Sequence, residues 1–340
     1  MVARRRHYRH QGGDGTGPRD WGKSGYNARL GTGDGETTMS AKADSLKSIL
    51  YALVANFAIA LAKLWGAAVT GSSAMLAEAI HSFADSGNQG LLILGLKRAK
   101  QPPSPEFPLG YGKAIYFWSF IVALILFSMG GLFSIYEGLH KFHNPEALKA
   151  PWLAVGILVF SIVAEGLSLF GCLREVNKVR HGRSLWRWFR ESRQSELLVV
   201  LGEDLAALVG LTLALLAILL TMATGNPAFD AAGSIAIGVL LVVVAFGVGL
   251  EVKDLLIGQG VEPQIREAME TLLRQRDEVA ELFNLITLQL GDRCMVAVKA
   301  RMSEVATPKE LIEACNRCEV ALRESFPEIQ WVFFEPDLRD

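Results

Sequence analysis

The stretch Ala77-Glu78-Ala79-Ile80-His81-Ser82-Phe83-Ala84-Asp85-Ser86 places an imidazole four residues ahead of a carboxylate inside an apolar run. On a helix that spacing puts His81 and Asp85 on one face, with Glu78 close to it. An imidazole nitrogen and a carboxylate oxygen are a donor pair suited to Zn²⁺ and its neighbours. A charge at mid-membrane costs about 2.5–3.5 kcal/mol on insertion scales, so such residues face a bundle interior, pair with each other or bind an ion. The alternative is a structural hydrogen bond between helices.

A second apolar run reads Val199-Val200-Leu201-Gly202-Glu203-Asp204-Leu205. Adjacent helical residues are about 100° apart, so Glu203 and Asp204 cannot face one ion equally well. One of them would complete a site with His81 and Asp85 while the other takes a polar partner. If the pair lies nearer the interface, both are simply hydrated. Glu165 stands in a third apolar run, as a proton acceptor, a partner for the His81–Asp85 pair, or a structural hydrogen-bonding group. Asn56 and Lys63 are polar residues of the first run, and Lys63 is expected to snorkel or pair as a structural group. Imidazole and carboxylate ligands must be deprotonated to bind metal. Metal and protons therefore compete for the same lone pairs, and a histidine with a pKa of about 6.5 titrates in the useful range.

Cys315-Asn316-Arg317-Cys318 is a single C-x-x-C. One pair without a second pair or a histidine is a weak zinc signal. From Val261 onward there is no histidine. A regulatory metal site on Cys315 and Cys318, helped by Cys294, is the sharper reading, and ordinary reduced thiols the plainer one. The fourth cysteine, Cys172, falls in an apolar run, and four are too few for a disulfide scaffold.

These residues need elements to hold them. The 340 residues are 51% hydrophobic and only 20% charged, with a mean hydropathy of +0.28. That balance describes a membrane protein with some soluble mass. The net charge of -1 gives no nucleic-acid signal. A membrane-spanning helix takes about 20 mostly apolar residues. Six stretches meet this, near 49–70, 73–96, 114–139, 152–173, 197–222 and 231–250. Residues 1–44 have no apolar period or signal-peptide core and are expected to be a disordered tail, with Met39 an alternative start.

Lys97, Arg98, Lys100 and Lys113 follow the second span, and Lys178, Arg180, Arg183, Arg187, Arg190 and Arg193 follow the fourth. The positive-inside rule puts both loops, and with six spans both termini, in the cytosol. The loop 140–150, with two lysines, conflicts mildly. The basic loop with Trp186, Trp188 and Phe189 is expected to anchor at the interface on anionic lipid. From residue 258 the order reads helix, strand, strand, helix, strand, a small α+β domain. Thr307, Pro308 and Glu310 fit an N-cap, a first helical position and a capping box.

The stretch Thr70-Gly71-Ser72-Ser73-Ala74-Met75-Leu76-Ala77-Glu78-Ala79-Ile80-His81-Ser82, with Asp85, resembles the cation diffusion facilitator family. So does Pro108-Leu109-Gly110-Tyr111-Gly112-Lys113 ahead of the third span. The likeness runs from about residue 45 to the C-terminus. It implies six transmembrane helices over 45–257, a cytosolic metallochaperone-like αββαβ domain over 258–340, and a homodimer joined through both parts. It also implies export of Zn²⁺ or a related ion against H⁺. The family pairs a His/Asp-x-x-x-Asp motif on the second helix with a similar motif on the fifth. His81 and Asp85 match the first motif. Asp204 matches the second position of the other motif, whose first position falls on Val200. Glu203 looks like its replacement, a Glu-Asp pattern similar to the branch related to zinc transporter 9. The more oxygen-rich donor set opens Mn²⁺, Fe²⁺ or Co²⁺ as alternatives to Zn²⁺. A membrane metalloenzyme of the His-Glu-x-x-His kind lacks its motif here. A passive channel would want rings of carbonyls or repeated acidic residues. The location expected is a bacterial inner (plasma) membrane.

Overall fold

A computed structural model describes residues 56–180 and 182–339, all within one compact unit. The expectation for residues 1–44, and the start of the first span, lie outside the described residues. The described part of α1 is Asn56–Thr70. Then come α2 (Ser73–Ala99), α3 (Ala114–Ile125), a π-helical segment (Leu126–Leu132), α4 (Phe133–His143), α5 (Pro151–Val179), α6 (Leu185–Glu191), α7 (Ser195–Thr224) and α8 (Ala228–Ile257). α3, the π segment and α4 run on as one helix of 30 residues. Among the described residues four helices are long and apolar enough to cross a membrane: 114–143, 151–179, 195–224 and 228–257. α2 is 27 residues long but falls short on composition, because it carries Glu78, His81, Asp85, Asn88 and Gln89. The expected six spans are therefore met by four on length and composition.

The start of α2 is pinned by another helix. Ser72 caps it by accepting from the Met75 amide at 3.1 Å. Asp230, in the first turn of α8, accepts from the Ser73 amide at 2.7 Å, from the Ser73 hydroxyl at 2.9 Å and from the Ser72 hydroxyl. One buried carboxylate thus meets the positive end of α2. α8 also packs against the π segment through small residues. A Cβ at Gly238 would come within 2.7 Å of the Gly131 carbonyl oxygen, so the two backbones meet at a distance only glycine allows.

The C-terminal domain holds α9 (Pro263–Arg274), β1 (Val279–Leu290), β2 (Arg293–Met302), α10 (Pro308–Ser325) and β3 (Ile329–Pro336). β1 pairs antiparallel with β2, which pairs parallel with β3. The expected helix–strand–strand–helix–strand order is present, but β1 starts at Val279 rather than near Leu285. Register shifts at Val279/Glu281 and Leu282/Asn284 break the alternation that would have revealed its first half. Thr307 caps α10, accepting from the Glu310 amide at 3.2 Å. The Glu310 carboxylate reaches back to the Ala306 amide at 2.9 Å. Met269, Leu273, Val296, Val298 and Leu322 close the core between sheet and helices. On the other face Ile286, Ala297 and Phe333 stand side by side, with Ile286 and Phe333 about half exposed.

The basic loop differs from the expected lipid anchor. Its middle folds into α6, and Trp188 is fully buried against Cys172, Val176 and Leu198. Arg183 pairs with Glu191 at 3.4 Å and with Glu262 of the C-terminal domain at 2.8 Å. Arg193 donates to the Gly260 carbonyl at 2.7 Å. Trp186, Arg187 and Arg190 stay exposed. The β1–β2 turn also meets the membrane domain. The Tyr116 hydroxyl accepts from the Gly291 amide at 3.0 Å, and a Cβ at Gly112 would collide with the Leu290 carbonyl oxygen.

Replacing Asp230 with alanine should strip three donors at the start of α2 of their acceptor. Each orphaned buried polar group costs about 1–3 kcal/mol. Thermal unfolding of detergent-purified Asp230→Ala should therefore begin several degrees lower, and an unchanged midpoint would refute this role.

Candidate metal site

α2 brings His81 and Asp85 together as its period demands: His81 Nδ1 lies 3.4 Å from Asp85 Oδ1. His81 is fully buried, and neither ring nitrogen has a hydrogen-bond partner among the described residues. Asp85 Oδ1 is likewise without one. Buried polar atoms are seldom left so.

Beside Asp85 lies a cavity of about 30 Å³. A water molecule needs roughly 10–15 Å³, so an ion with little retained water fits. Asp85 and Gln89 of α2, Glu165 of α5, Glu203 and Asp204 of α7, and Asn56 of α1 line it. The two carboxylates of α7 both reach the cavity, although their Cα–Cβ directions diverge, and both also take polar partners. Asn88 Nδ2 donates to Glu203 Oε1 at 2.6 Å, and Ser168 Oγ donates to Asp204 Oδ2 at 3.3 Å. Val200 lies in the same wall. The position that departs from the family pattern thus borders the cavity, and Glu203 supplies the carboxylate. His81 stands behind Asp85 rather than in the lining. Among the described residues, no three His, Cys, Asp or Glu side chains are gathered tightly enough to enclose an ion. The donors ring an opening between four helices.

Of the two expectations for Lys63, it pairs rather than snorkels, and it is fully buried. Its Nζ donates to Ser82 Oγ at 2.6 Å, and lies 3.5 Å from Glu78 Oε2 and 4.0 Å from Glu165 Oε1. Glu78 points to this lysine, and α7 makes room for it at Gly210, where a Cβ would collide with Glu78 Oε1. Sequence reasoning misses Asn88, Gln89, Ser168 and Gly210. Asn88 and Gln89 continue the His81–Asp85 stripe at helical spacing, which is a usable signal. Ser168 and Gly210 act across helices and leave none.

The thiols of the C-terminal domain stand apart from this site. Cys294 and Cys318 are fully buried in the sheet–helix core, and Cys315 nearly so. Burial pushes the Cys294 thiol up to about 12 and raises those of Cys315 and Cys318. Metal binding needs the thiolate, so these sites favour the protonated form. All four cysteines are free.

Residues 49–257 match the family described as Cation efflux transmembrane domain. The chain belongs to the cation efflux family. It is 32% identical, over 72% of its length, to a human protein called Proton-coupled zinc antiporter SLC30A9, mitochondrial, and covers 44% of that protein. Metal tolerance protein C4 of Arabidopsis thaliana is 29% identical over 73% of this chain and 54% of its own. The manganese efflux system protein MneP of Bacillus subtilis is 22% identical over 85% of this chain and 94% of its own. The chain spans less than half the length of the zinc antiporters it matches. These relatives correct the expected location. The antiporters at 32% identity are mitochondrial proteins of animals, which overturns a bacterial inner (plasma) membrane. Residue chemistry carries no compartment address.

Gly210→Ala should force the Glu78 carboxylate out of place, since overpacking a tight interior costs about 1–3 kcal/mol. Gly247 has open space at its Cβ position, so Gly247→Ala serves as the control. Melting of the two variants should separate them, with only Gly210→Ala lowered. Equal behaviour would mean that Glu78 is not confined by α7.

Proposed function

We propose that this chain is a secondary active transporter that exports divalent transition-metal cations, Zn²⁺ foremost, in exchange for H⁺. The observation that carries this reading is the meeting of Asp85, Glu203 and Asp204 around one small cavity between α1, α2, α5 and α7, with His81 3.4 Å behind Asp85. Such a cluster of ionisable groups within apolar helices is costly unless it serves an ion. Each donor binds either metal or proton, so a site opened to alternate sides exchanges one for the other. The human and plant relatives, named for zinc antiport and metal tolerance, point the same way. Glu165, which also borders the cavity, is the candidate proton acceptor or accessory ligand. Glu78 stands behind it.

In this reading α1, α2, the α3–α4 helix, α5, α7 and α8 form six spans, and residues 258–340 form a domain on the side of the basic loops. The membrane is proposed to be mitochondrial, as in the animal relatives. Exposed Trp186, Arg187 and Arg190 are left to face lipid. The exposed Ile286–Ala297–Phe333 face suits pairing of two C-terminal domains in a homodimer. A second reading, Mn²⁺, Fe²⁺ or Co²⁺ as the cargo, is favoured by the all-oxygen lining of the cavity itself.

The test is Zn²⁺ flux through the purified chain in proteoliposomes under an imposed pH gradient. Flux should fall at least tenfold when His81 and Asp85 are both changed to alanine, a rise of about 1.4 kcal/mol or more in the barrier. It should also fall when the gradient is collapsed. Flux that survives the double substitution sinks the site, and flux indifferent to the gradient sinks the antiport. Running the assay with Mn²⁺ in parallel decides between the two cargo readings.

A further inference from the structure

One buried cation lies beside that cavity. Lys63 is 0% exposed. Its ammonium touches groups from two other helices: Ser82 Oγ of α2 at 2.6 Å, Glu78 Oε2 of α2 at 3.5 Å and Glu165 Oε1 of α5 at 4.0 Å. Glu78 is also 0% exposed, and neither of its carboxylate oxygens has a hydrogen-bond partner among the described residues. α7 contributes Gly210, whose missing side chain is what lets that carboxylate sit there.

The chemistry of this nest is that of a cation site. Two carboxylates and a hydroxyl are hard oxygen donors, the set that takes Mn²⁺ or Mg²⁺. An ammonium offers three donors, yet among the described residues only Ser82 is met at hydrogen-bond length. Glu165 belongs to both places. It faces Lys63 on one side and borders the Asp85–Glu203–Asp204 cavity on the other. The nest and the cavity therefore share a wall.

We propose that Lys63 is a tethered cation filling a second cation subsite made by Glu78, Glu165 and Ser82, and that it thereby confines a divalent ion to the adjoining cavity of Asp85, Glu203 and Asp204. This rests on the cavity being the transport site. With the ammonium in place, an ion entering the bundle meets a subsite already filled, and Glu165 is held toward Lys63. Without the ammonium, two carboxylates face each other with no counter-charge, and a divalent ion takes its place.

The experiment is a Mn²⁺ titration of the full-length protein in detergent, following loss of the free-ion signal by electron paramagnetic resonance. Lys63→Gln should bind about one more Mn²⁺ per chain than the unaltered protein, as expected for a vacated site of oxygen donors. Lys63→Arg should not gain it, because the charge is kept. Lys63→Gln combined with Glu78→Gln should lose the gain. An unchanged stoichiometry in Lys63→Gln overturns the proposal, since a merely structural lysine would alter melting and not the ion count. If Lys63→Gln does not fold in metal-free buffer, it should fold when purified with Mn²⁺. A chain still unfolded in Mn²⁺ also overturns the proposal. His81→Ala with Asp85→Ala tests the transport-site reading separately. That pair should remove the cavity ion and leave the gain in Lys63→Gln intact.

Discussion

A charged or polar group placed among apolar helices must be paired or hydrogen-bonded by the protein, because no solvent is there to do it. Most of the interior of this fold can be derived from that one constraint. Lys63 is met by Glu78, Glu165 and Ser82. Glu203 is met by Asn88, and Asp204 by Ser168. Asp230 is met by the start of α2. Each pairing joins different helices, so satisfying these buried groups also fixes how α1, α2, α5, α7 and α8 stand against one another. His81 and Asp85 are the exception. They have each other at 3.4 Å, but three of their buried polar atoms lack a hydrogen-bond partner among the described residues. On the proposed reading, that unmet demand is where the transported ion comes in.

What is legible in the sequence is what lies within one helix. His81 and Asp85 sit one turn apart, and the helical period alone brings them together. The αββαβ order is legible because turn and cap residues such as Gly291, Asp292 and Thr307 mark its joints. What crosses between helices is not. Lys63 reads as a residue that snorkels or pairs, and its partners are named only when α2 and α5 are set beside it. The choice between Glu203 and Asp204 looks exclusive from the 100° between their directions, yet side chains from one helix can reach around a small cavity from both sides. The basic loop misleads for a related reason. Its arginines imply a membrane surface, whereas Arg183 and Arg193 bond the C-terminal domain and Trp188 fills a core. Periodicity does flag Asn88 and Gln89, which lie about one turn beyond Asp85.

The contact between the two parts of the chain bears on the site. Arg193, bonded to Gly260, stands just before α7, which carries Glu203 and Asp204. Tyr116, bonded to the β1–β2 turn, lies in α3, which leads into the π segment packed on α8. The Pro108–Lys113 stretch, which carries part of the family resemblance, supplies Gly112 to this junction. The C-terminal domain is thus fastened just ahead of α7, which borders the cavity, and to α3, while its cysteines remain buried thiols.

The most direct measurement is X-ray absorption at the zinc edge on the purified, Zn²⁺-loaded protein. Ligation at the helix-bundle cavity predicts a shell of light oxygen or nitrogen donors near 2.0–2.2 Å. A sulfur shell near 2.3 Å would instead put the ion on the cysteines, and would contradict the account.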